Sequence, residues 1–345
     1  MAAILPNPKQ FQDTQLSLFQ NFLCNTQGER QHLSNTIELW DSIPRYSVSR
    51  QAMDKMRDAS GFLKLLKLRF MYRQAEFNIV IQPAIIEEKD KEGNIATVAY
   101  YPSANEELVE EALRKLAVDQ NKGFYDKAEY ISGVVFSLYQ LREELKRMGH
   151  TRSLDQTKLS LDILARSFIQ IESDMPNTKN TKRSTYLPEV ISVSKKDLEA
   201  DPNAKWLVRF HPLVTNSIEK LSYRQFNYDR LMKHTRQLTR WINKLLITKY
   251  TFASRTKFFE IRFSTIKRDS AMLNNYTRER KAQEDCDFCI DELKTDGVLS
   301  AYDRRTEEGA RGKIIDIVYK LYPSNDFIAE VKAANKRKRL STTGE

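Results

Sequence analysis

The clearest periodic pattern in the chain lies between residues 228 and 248. Four apolar residues there are separated by seven, four and three positions: Leu231, Leu238, Ile242 and Leu245. A second set, separated by three, four and four positions, is entirely basic: Lys233, Arg236, Arg240 and Lys244. These spacings predict one amphipathic helix. Its basic face has a single charge sign, so it either is solvated as ordinary charged faces are or neutralises a polyanion.

The first hundred residues change pattern twice. Residues 36–76 place leucines among charged side chains and predict helices that are interrupted at Pro44. Residues 77–101 are rich in β-branched and aromatic residues on both sides of a charged turn at 89–94. This second stretch predicts a β-hairpin.

Helices then alternate with strands in an order that is typical of a winged helix. Three predicted helices run over 103–119, from about 132 to 149, and from 153 onward. Strand-like runs follow at 168–171, 190–193 and 206–210, with a basic segment at 177–184 between the first two. Helices followed by a small sheet with a basic loop define the winged helix, a helix-turn-helix variant.

The same order recurs in the second half of the chain. The helix at 228–248 comes first, and the elements after it are a strand at 258–263, a short helix at 264–273, a long helix at 277–296, strands at 298–302 and 313–319, and a last helix at 327–334. The predicted fold is therefore α+β, with two tandem winged-helix domains. We assign residues 1–35 to an extended N-terminal arm, 36–212 and 213–334 to the two domains, and 335–345 to a basic tail.

Charge is distributed unevenly between the two halves. The chain has 345 residues, enough for about two domains, and a net charge of +10. Residues 213–281 hold sixteen lysines and arginines against five acidic residues, whereas residues 1–212 hold 29 basic and 28 acidic residues. This asymmetry predicts an acidic or nucleic-acid partner that is bound mainly by the second half.

The arm contains one apolar island in a stretch dominated by prolines and amides: Gln15, Leu16, Ser17, Leu18 and Phe19. It matches the pentapeptide with which many bacterial proteins dock on the replicative sliding clamp. Two leucines and a phenylalanine fill an apolar pocket, and the glutamine serves a polar subsite. The alternative is a short turn that packs on the protein's own core. The complete match and the accessible position favour clamp binding.

Catalytic and metal-binding patterns are lacking in the sequence. Cys286 and Cys289 form a lone pair without a second pair or a nearby histidine, and the four histidines are scattered. Gly309-x-x-Gly312-Lys313 is too short for a phosphate-binding loop. We therefore expect no catalytic residue, no metal, no cofactor and no enzymatic activity. The three cysteines, the N-terminus and the absence of a membrane-length apolar run predict a cytoplasmic protein that does not enter a membrane.

Phe210-His211-Pro212-Leu213-Val214, the basic helix after it, the doubled winged-helix order and the clamp peptide together resemble the theta-type replication initiators of broad-host-range plasmids. The resemblance in architecture covers about residues 77–334. It implies binding of double-stranded origin repeats, melting of an adjacent AT-rich segment, and recruitment of the host helicase or initiator and of the sliding clamp. A homodimer is one of the states that the sequence leaves open.

The fold order places the predicted DNA contacts, because winged helices insert the start of one helix into the major groove. In the second half these contacts are Asn275, Tyr276, Arg278, Arg280 and Lys281 at the helix start, Arg304, Arg305 and Arg311 in the wing, and Lys233, Arg236 and Arg240 on the basic helix. In the first half they are Gln156, Thr157, Lys158 and Ser160 on the helix and Lys179, Lys182 and Arg183 in the wing.

One competing interpretation is a winged-helix transcriptional repressor or partition protein without a role in replication. The same DNA contacts would serve it. An enzyme such as a nickase is a more distant alternative, because no pair of histidines is placed to hold the ion that such chemistry needs.

Overall fold

The computed structural model describes residues 27–89, 93–118, 122–175, 178–192, 196, 201, 203–220, 222–310 and 314–342. The chain divides into two compact units. Among the described residues, 45–222 form the first unit, and 27–44 together with 223–342 form the second. The second unit is therefore assembled from two separate stretches of the chain.

The first unit contains five helices among its described residues: α3 (Arg50–Met56), α4 (Ala104–Ala117), α5 (Leu138–Arg147), α6 (Leu154–Arg166) and α7 (Pro212–Glu219). Serine begins three of them. Ser103, Ser137 and Ser153 each form a capping box with the residue three positions later, which satisfies two backbone N–H groups at each helix start. Helices α4, α5 and α6 pack on one another through apolar side chains such as Leu113, Leu141 and Leu164.

Antiparallel strands complete the first unit: β2 (Leu66–Tyr72), β3 (Ala75–Gln82), β4 (Ala84–Lys89), β5 (Ile95–Tyr100), β6 (Gly123–Asp126), β7 (Ile131–Ser137), β8 (Phe168–Met175), β9 (Thr178–Thr185), β10 (Glu189–Ile191) and β11 (Lys205–Arg209). One sheet has the order β2-β3-β8-β9 and another has the order β10-β11-β7-β6, while β4 and β5 form a separate hairpin. The β8–β9 hairpin follows α6 directly and is the wing of this unit.

A buried polar network lies along helix α4. Glu106 is fully buried and accepts hydrogen bonds from Ser103, Arg50 and Ser160. Its Oε1 lies 2.8 Å from Ser160 Oγ, which ties helix α6 to helix α4. One turn later Glu110 pairs with Arg45 at 2.9 Å. Buried carboxylates persist only when they are paired in this way, so the network fixes helices α3 and α6 on α4.

The second unit contains seven helices among its described residues: α1 (Gln27–His32), α2 (Glu38–Ser42), α8 (Tyr228–Lys233), α9 (Gln237–Lys249), α10 (Phe263–Ser270), α11 (Glu279–Thr295) and α12 (Asn325–Thr342). Its strands are β1 (Leu33–Ile37), β12 (Tyr223–Asn227), β13 (Phe259–Arg262), β14 (Leu299–Glu308) and β15 (Ile314–Pro323). The sheet order β13-β15-β14 places the β14–β15 hairpin directly after helix α11. Helices α9, α10 and α11 followed by this hairpin form a winged helix.

The N-terminal segment is built into the second unit by a strand and an ion pair. Strand β1 pairs antiparallel with β12, from Leu33 opposite Asn227 to Ile37 opposite Tyr223. Asp41 accepts a hydrogen bond of 2.7 Å from the backbone N–H of Ile37, and it lies 3.4 Å from Nζ of Lys244, whose side chain is buried. Residues 27–35 therefore belong to this unit and not to the arm that the sequence predicts.

Local sequence patterns misassigned several elements. Residues 66–72, predicted as helix, form strand β2, because they pair with β3, whose other edge is paired with β8. The helix predicted from about 132 starts only at Leu138, after strand β7. The strand at 206–210 pairs with β7 and β10 rather than with the β8–β9 hairpin. The hairpin predicted over 77–101 is confirmed only for strands β4 and β5, because residues 77–82 lie in strand β3 and pair with β2 and β8. The helix that begins after Ser103 is confirmed.

The helix predicted over 228–248 is divided at residues 234–236 into α8 and α9. Because of this break, the four basic residues of the predicted face do not lie on one exposed surface. Arg240 is only 2% exposed and donates to the carbonyl oxygen of His234 at 3.0 Å, and Lys244 is 6% exposed. Arg240 is therefore an internal side chain and not a DNA contact, which corrects the prediction made from spacing.

The structural boundaries also differ from those chosen by sequence. The boundary predicted between residues 212 and 213 falls inside helix α7, which packs on the first unit through a hydrogen bond of 2.9 Å between Thr215 and Ser132. The predicted basic tail continues helix α12 as far as Thr342. Asn335 secures this helix, because its side chain accepts from Arg224 at 2.7 Å and donates to the carbonyl oxygen of Thr251 at 2.8 Å. Among the described residues, no helix is both long and apolar enough to cross a bilayer.

Candidate nucleic-acid interface

Helix α11 presents one apolar and one polar face. Its apolar stripe is buried and consists of Ala282, Cys286, Cys289, Ile290 and Leu293. Burial raises the pKa of the Cys286 and Cys289 thiols, so both stay protonated and behave as small apolar side chains. The opposite face and the residues before the helix are turned to solvent. The five residues predicted to enter the major groove are all exposed: Asn275, Tyr276, Arg278, Arg280 and Lys281.

The turn before α11 positions these side chains. Helix α10 is followed by Ala271, whose φ of 56° is left-handed, and then by a short 3-10 turn over Met272–Asn275. Asp316 of strand β15 caps the start of α10 by accepting from the backbone N–H of Ser264 at 3.0 Å. This contact fixes the start of α10 on the sheet, and the turn at its other end leads directly to the groove contacts.

Acidic residues along α11 hold its surroundings in place rather than forming a free acidic patch. Glu284 accepts from Arg280 at 3.0 Å and from Lys281 at 2.7 Å, and the hydrogen bond from Lys281 lowers the pKa of the Glu284 carboxyl. Asp285 lies 4.0 Å from Arg236 and hydrogen-bonds Tyr276, and burial together with the Asp285 charge raises the pKa of Tyr276 to about 12. These contacts order the basic end of the helix before any ligand is bound.

The wing is attached to α11 by the next two carboxylates. Asp287 accepts from Nε of Arg304 at 3.0 Å and from the hydroxyl of Tyr319 at 2.6 Å, and Asp291 accepts from Tyr302 at 2.9 Å. Arg305, in the same strand as Arg304, is exposed and lies 3.3 Å from Glu307. Both arginines are therefore placed on the hairpin beside the helix, as the sequence predicted. Arg311 lies outside the described residues.

Glu292, near the end of α11, caps the start of helix α9. It accepts from the backbone N–H of Thr235 at 2.6 Å and from the Thr235 hydroxyl at 2.7 Å, and it also accepts from the Thr239 hydroxyl. Burial would raise the pKa of the Glu292 carboxyl, but the hydrogen bonds from Thr239 and Thr235 hold it below its usual value. Lys233 and Arg236, which flank this cap, are exposed.

A group of the metal-ligating type lies beside this cap. Ligand atoms of His234, Glu292 and Asp296 all fall within 4.8 Å of one another. His234 already uses both ring nitrogens, at 2.6 Å from Asp296 and 2.9 Å from the Asn243 amide, and burial lowers the pKa of its imidazole. Glu292 is engaged by the α9 cap. An ion would have to displace these hydrogen bonds, so the donor set suits a helix-to-helix tether better than a metal site.

In the first unit, two of the predicted groove contacts point inward. Thr157 is fully buried and donates to the carbonyl oxygen of Ser153 at 2.9 Å, and Ser160 is 5% exposed and donates to Glu106. Neither can reach DNA, because both sit on the packed face of α6. Gln156 is exposed but forms the capping box with Ser153, and Lys158 is half-buried.

The first wing carries its basic residues on both faces of the β2-β3-β8-β9 sheet. Arg183 lies opposite Gln170 and donates to its side chain at 2.8 Å, whereas Lys182 lies opposite Ile171 on the other face. Burial and the nearby Lys220 lower the pKa of Lys182. The side chain of Lys179 lies outside the described residues.

Helix α6 differs from α11 in its charge pattern and in being packed against a β-hairpin. The β4–β5 hairpin packs against it through Ala84 and Ile86, which contact Ile163. Its solvent-facing positions mix both signs, with Asp155 and Asp162 against Lys158 and Arg166. Helix α11 itself holds three basic and six acidic residues, so the positive charge there is concentrated in Arg278, Arg280 and Lys281 at its start.

Each unit places three packed helices before a β-hairpin wing, which defines a tandem winged-helix protein of the α+β class. A scan of the sequence against protein-family models and a search of curated proteins both find no match. Among solved structures, the chain is similar to the crystal structure of domains 2 and 3 of RctB, at a TM-score of 0.48 and 12% identity over 79% of this chain and 95% of that one. It is also similar to the Pi initiator protein in complex with iteron DNA, at a TM-score of 0.36 and 11% identity over 86% of this chain and 99% of that one.

Proposed function

We propose that this protein is a DNA-binding replication initiator that recognises repeated sequences in an origin, without catalytic activity. The observation that carries the proposal is the exposed basic start of helix α11, held beside the wing by the contacts of Asp287. A helix start of this kind enters the major groove, while the wing follows the adjacent backbone. The excess positive charge of the second half supplies the attraction to phosphate.

The two kinds of contact have different tasks. Arg278, Arg280 and Lys281 precede or begin α11, so they are placed to reach base edges and to set specificity. Arg304 and Arg305 lie on the hairpin and contact phosphate, which sets register. Lys233 and Arg236, at the junction of α8 and α9, add to the phosphate contacts of the second unit.

The proposed role in replication rests on the clamp peptide in the arm and on the resemblance to plasmid replication initiators. We infer that Gln15–Phe19 binds the bacterial sliding clamp and that the bound protein promotes local melting and recruits the host helicase. The peptide lies outside the described residues, and its support is the complete sequence match. Leu18→Ala with Phe19→Ala should abolish capture of purified clamp and leave DNA binding unchanged. Clamp capture by the double variant, or a loss of DNA binding, would contradict this part.

Footprinting on the DNA upstream of the protein's own gene tests the central proposal. We expect protected repeats, and an affinity that falls with salt with a log–log slope of about −5 to −8, as for neutralisation of six to nine phosphates. An affinity that hardly changes with salt would exclude the proposed interface. Replication of a small circle that carries the protected repeats then separates an initiator from a repressor, because a repressor would bind the repeats without supporting replication.

A further inference from the structure

Phe288 lies in the middle of the solvent-facing side of helix α11. Its side chain is 48% exposed, although phenylalanine is usually buried. Lys281 and Glu284 precede it by seven and four residues, so the three side chains share one face of the helix, opposite the buried stripe. The predicted groove contacts, Arg278 to Lys281, lie at the N-terminal end of this face.

A cation packs against the ring. The guanidinium of Arg236, at the start of α9, lies 5.0 Å from the centroid of the Phe288 ring, within the range of a cation–π contact. Arg236 is itself 55% exposed and lies 4.0 Å from Asp285, one turn before Phe288. A cation stacked on one face of the ring fixes its orientation and leaves the rest of the ring toward solvent.

Neighbouring side chains on α11 are already engaged in holding the unit together. Asp287 and Asp291 hold the wing, and Glu292 caps α9. Phe288 lies between Asp287 and Asp291 in the sequence, and about half of its side chain is exposed. Its apolar surface is therefore positioned by the unit without being buried by it.

The major groove offers one apolar group to a protein, the C5-methyl of thymine, and phenylalanine is among the side chains that contact it. We propose that Phe288 packs against a thymine methyl group and makes this unit specific for a thymine within its site, a role that rests on the proposed DNA binding. Arg236 positions the ring and brings a positive charge to the phosphates that flank that base. Phe288 is thus a specificity residue that lies two turns beyond the basic contacts.

Thymine methyl groups can be removed from DNA without altering its Watson–Crick pairing. The upstream fragment is amplified once with thymidine triphosphate and once with deoxyuridine triphosphate, which yields duplexes of one sequence with and without the methyl groups. A scrambled fragment is prepared in both forms. Affinities are measured for the wild-type protein, Phe288→Ala, Phe288→Leu and the control Tyr139→Ala, which removes an equally exposed ring (54%) from helix α5 of the first unit.

We expect wild type and Tyr139→Ala to bind the uracil fragment about fourfold more weakly for each methyl group that is withdrawn from water. Phe288→Ala should bind both forms alike, with the affinity of wild type for the uracil form, and Phe288→Leu should recover part of the preference. A preference for thymine that persists in Phe288→Ala overturns the inference. If the preference for thymine persists and Phe288→Ala also fails to bind a protein that the wild type binds, the ring serves protein docking instead.

The two proposals fail in distinguishable ways. Wild-type binding that does not distinguish the upstream fragment from the scrambled one would overturn the proposed function. Specific binding without any difference between thymine and uracil forms would leave that function standing and remove only the role of Phe288. Circular dichroism of Phe288→Ala establishes that the variant is folded, as its exposed position leads us to expect.

Discussion

Arg304 on strand β14 donates from Nε to Oδ1 of Asp287 on helix α11, at 3.0 Å, and so joins the wing to the helix that it accompanies. Tyr319 donates to the same carboxylate from the neighbouring strand. Wing and helix are consequently placed relative to each other before DNA arrives. Preorganisation of this kind lowers the ordering cost of binding.

Arg304→Ala should weaken binding to matched and scrambled duplexes by the same factor, because phosphate contacts carry no sequence information. Arg305→Ala, which leaves the Asp287 contact intact, should do the same and reduce the salt slope by about one. Gel shifts over a salt series on both duplexes provide the measurement. A loss restricted to the matched duplex would assign base contacts to the wing.

Arg278→Ala and Arg280→Ala should act on specific sites alone. We expect each to cost about 1–3 kcal/mol on the matched duplex and little on random DNA, as for arginines that contact base edges. The structure also provides a comparison between them, because Arg280 must leave Glu284 to bind a base. Equal losses on both duplexes would place the recognition helix elsewhere.

Alanine variants of Arg240 and Lys233 provide a matched comparison, because one should affect stability and the other DNA binding. Arg240→Ala removes a buried guanidinium and its hydrogen bond to the His234 carbonyl, so unfolding free energy should fall by about 2 kcal/mol. Lys233→Ala, at an exposed position, should leave stability unchanged and weaken DNA binding at low salt. Urea denaturation and gel shifts measured on both variants decide this. A stable Arg240→Ala that binds DNA poorly would restore Arg240 to the interface.

Because of His211, the stability of the protein should decrease as the pH is lowered. Burial, aided by the nearby Arg45, lowers the pKa of its imidazole to about 3, while the unfolded chain protonates near pH 6.5. Between these values the unfolded state binds the extra proton, so stability is complete above pH 6.5 and declines below it, by about 2 kcal/mol at pH 5.

His211→Asn isolates this contribution. The ring Nδ1 accepts from the backbone N–H of Leu213 at 3.1 Å and so caps helix α7, and asparagine can cap the helix without titrating. Urea midpoints measured at pH 8 and pH 5 should differ less in the variant than in the wild type. An unchanged difference would assign the pH dependence to other groups.

Sequence patterns predicted local structure well and long-range pairing poorly. The helix after Ser103 has its capping box within four residues, so its start can be read from the sequence alone. Strand β2 depends on β3 and on the β8–β9 hairpin about one hundred residues later, and its leucines give no sign of that sheet. Local periodicity therefore favoured a helix over 66–72.

The predicted DNA contacts show the same contrast between local patterns and long-range contacts. Exposure of Arg278, Arg280 and Lys281 follows from their place at the start of a helix, which the sequence located correctly. Burial of Lys244 does not follow from its own helix, because its partner Asp41 comes from a segment about two hundred residues earlier. The exposure of Phe288 is different, because its spacing of seven and four residues from Lys281 and Glu284 places it on the charged face of the helix from sequence alone.

The pairing of β1 with β12 has a consequence for synthesis of the chain. On the ribosome, residues 33–37 emerge before residues 223–227 and must wait for them, and the intervening residues 45–222 belong to the other unit. Until that moment β1 lacks the strand with which it pairs in the described structure. A fragment that starts at residue 223 lacks this strand, so DNA-binding studies of the second unit require residues 27–44, supplied on the same chain or as a separate peptide.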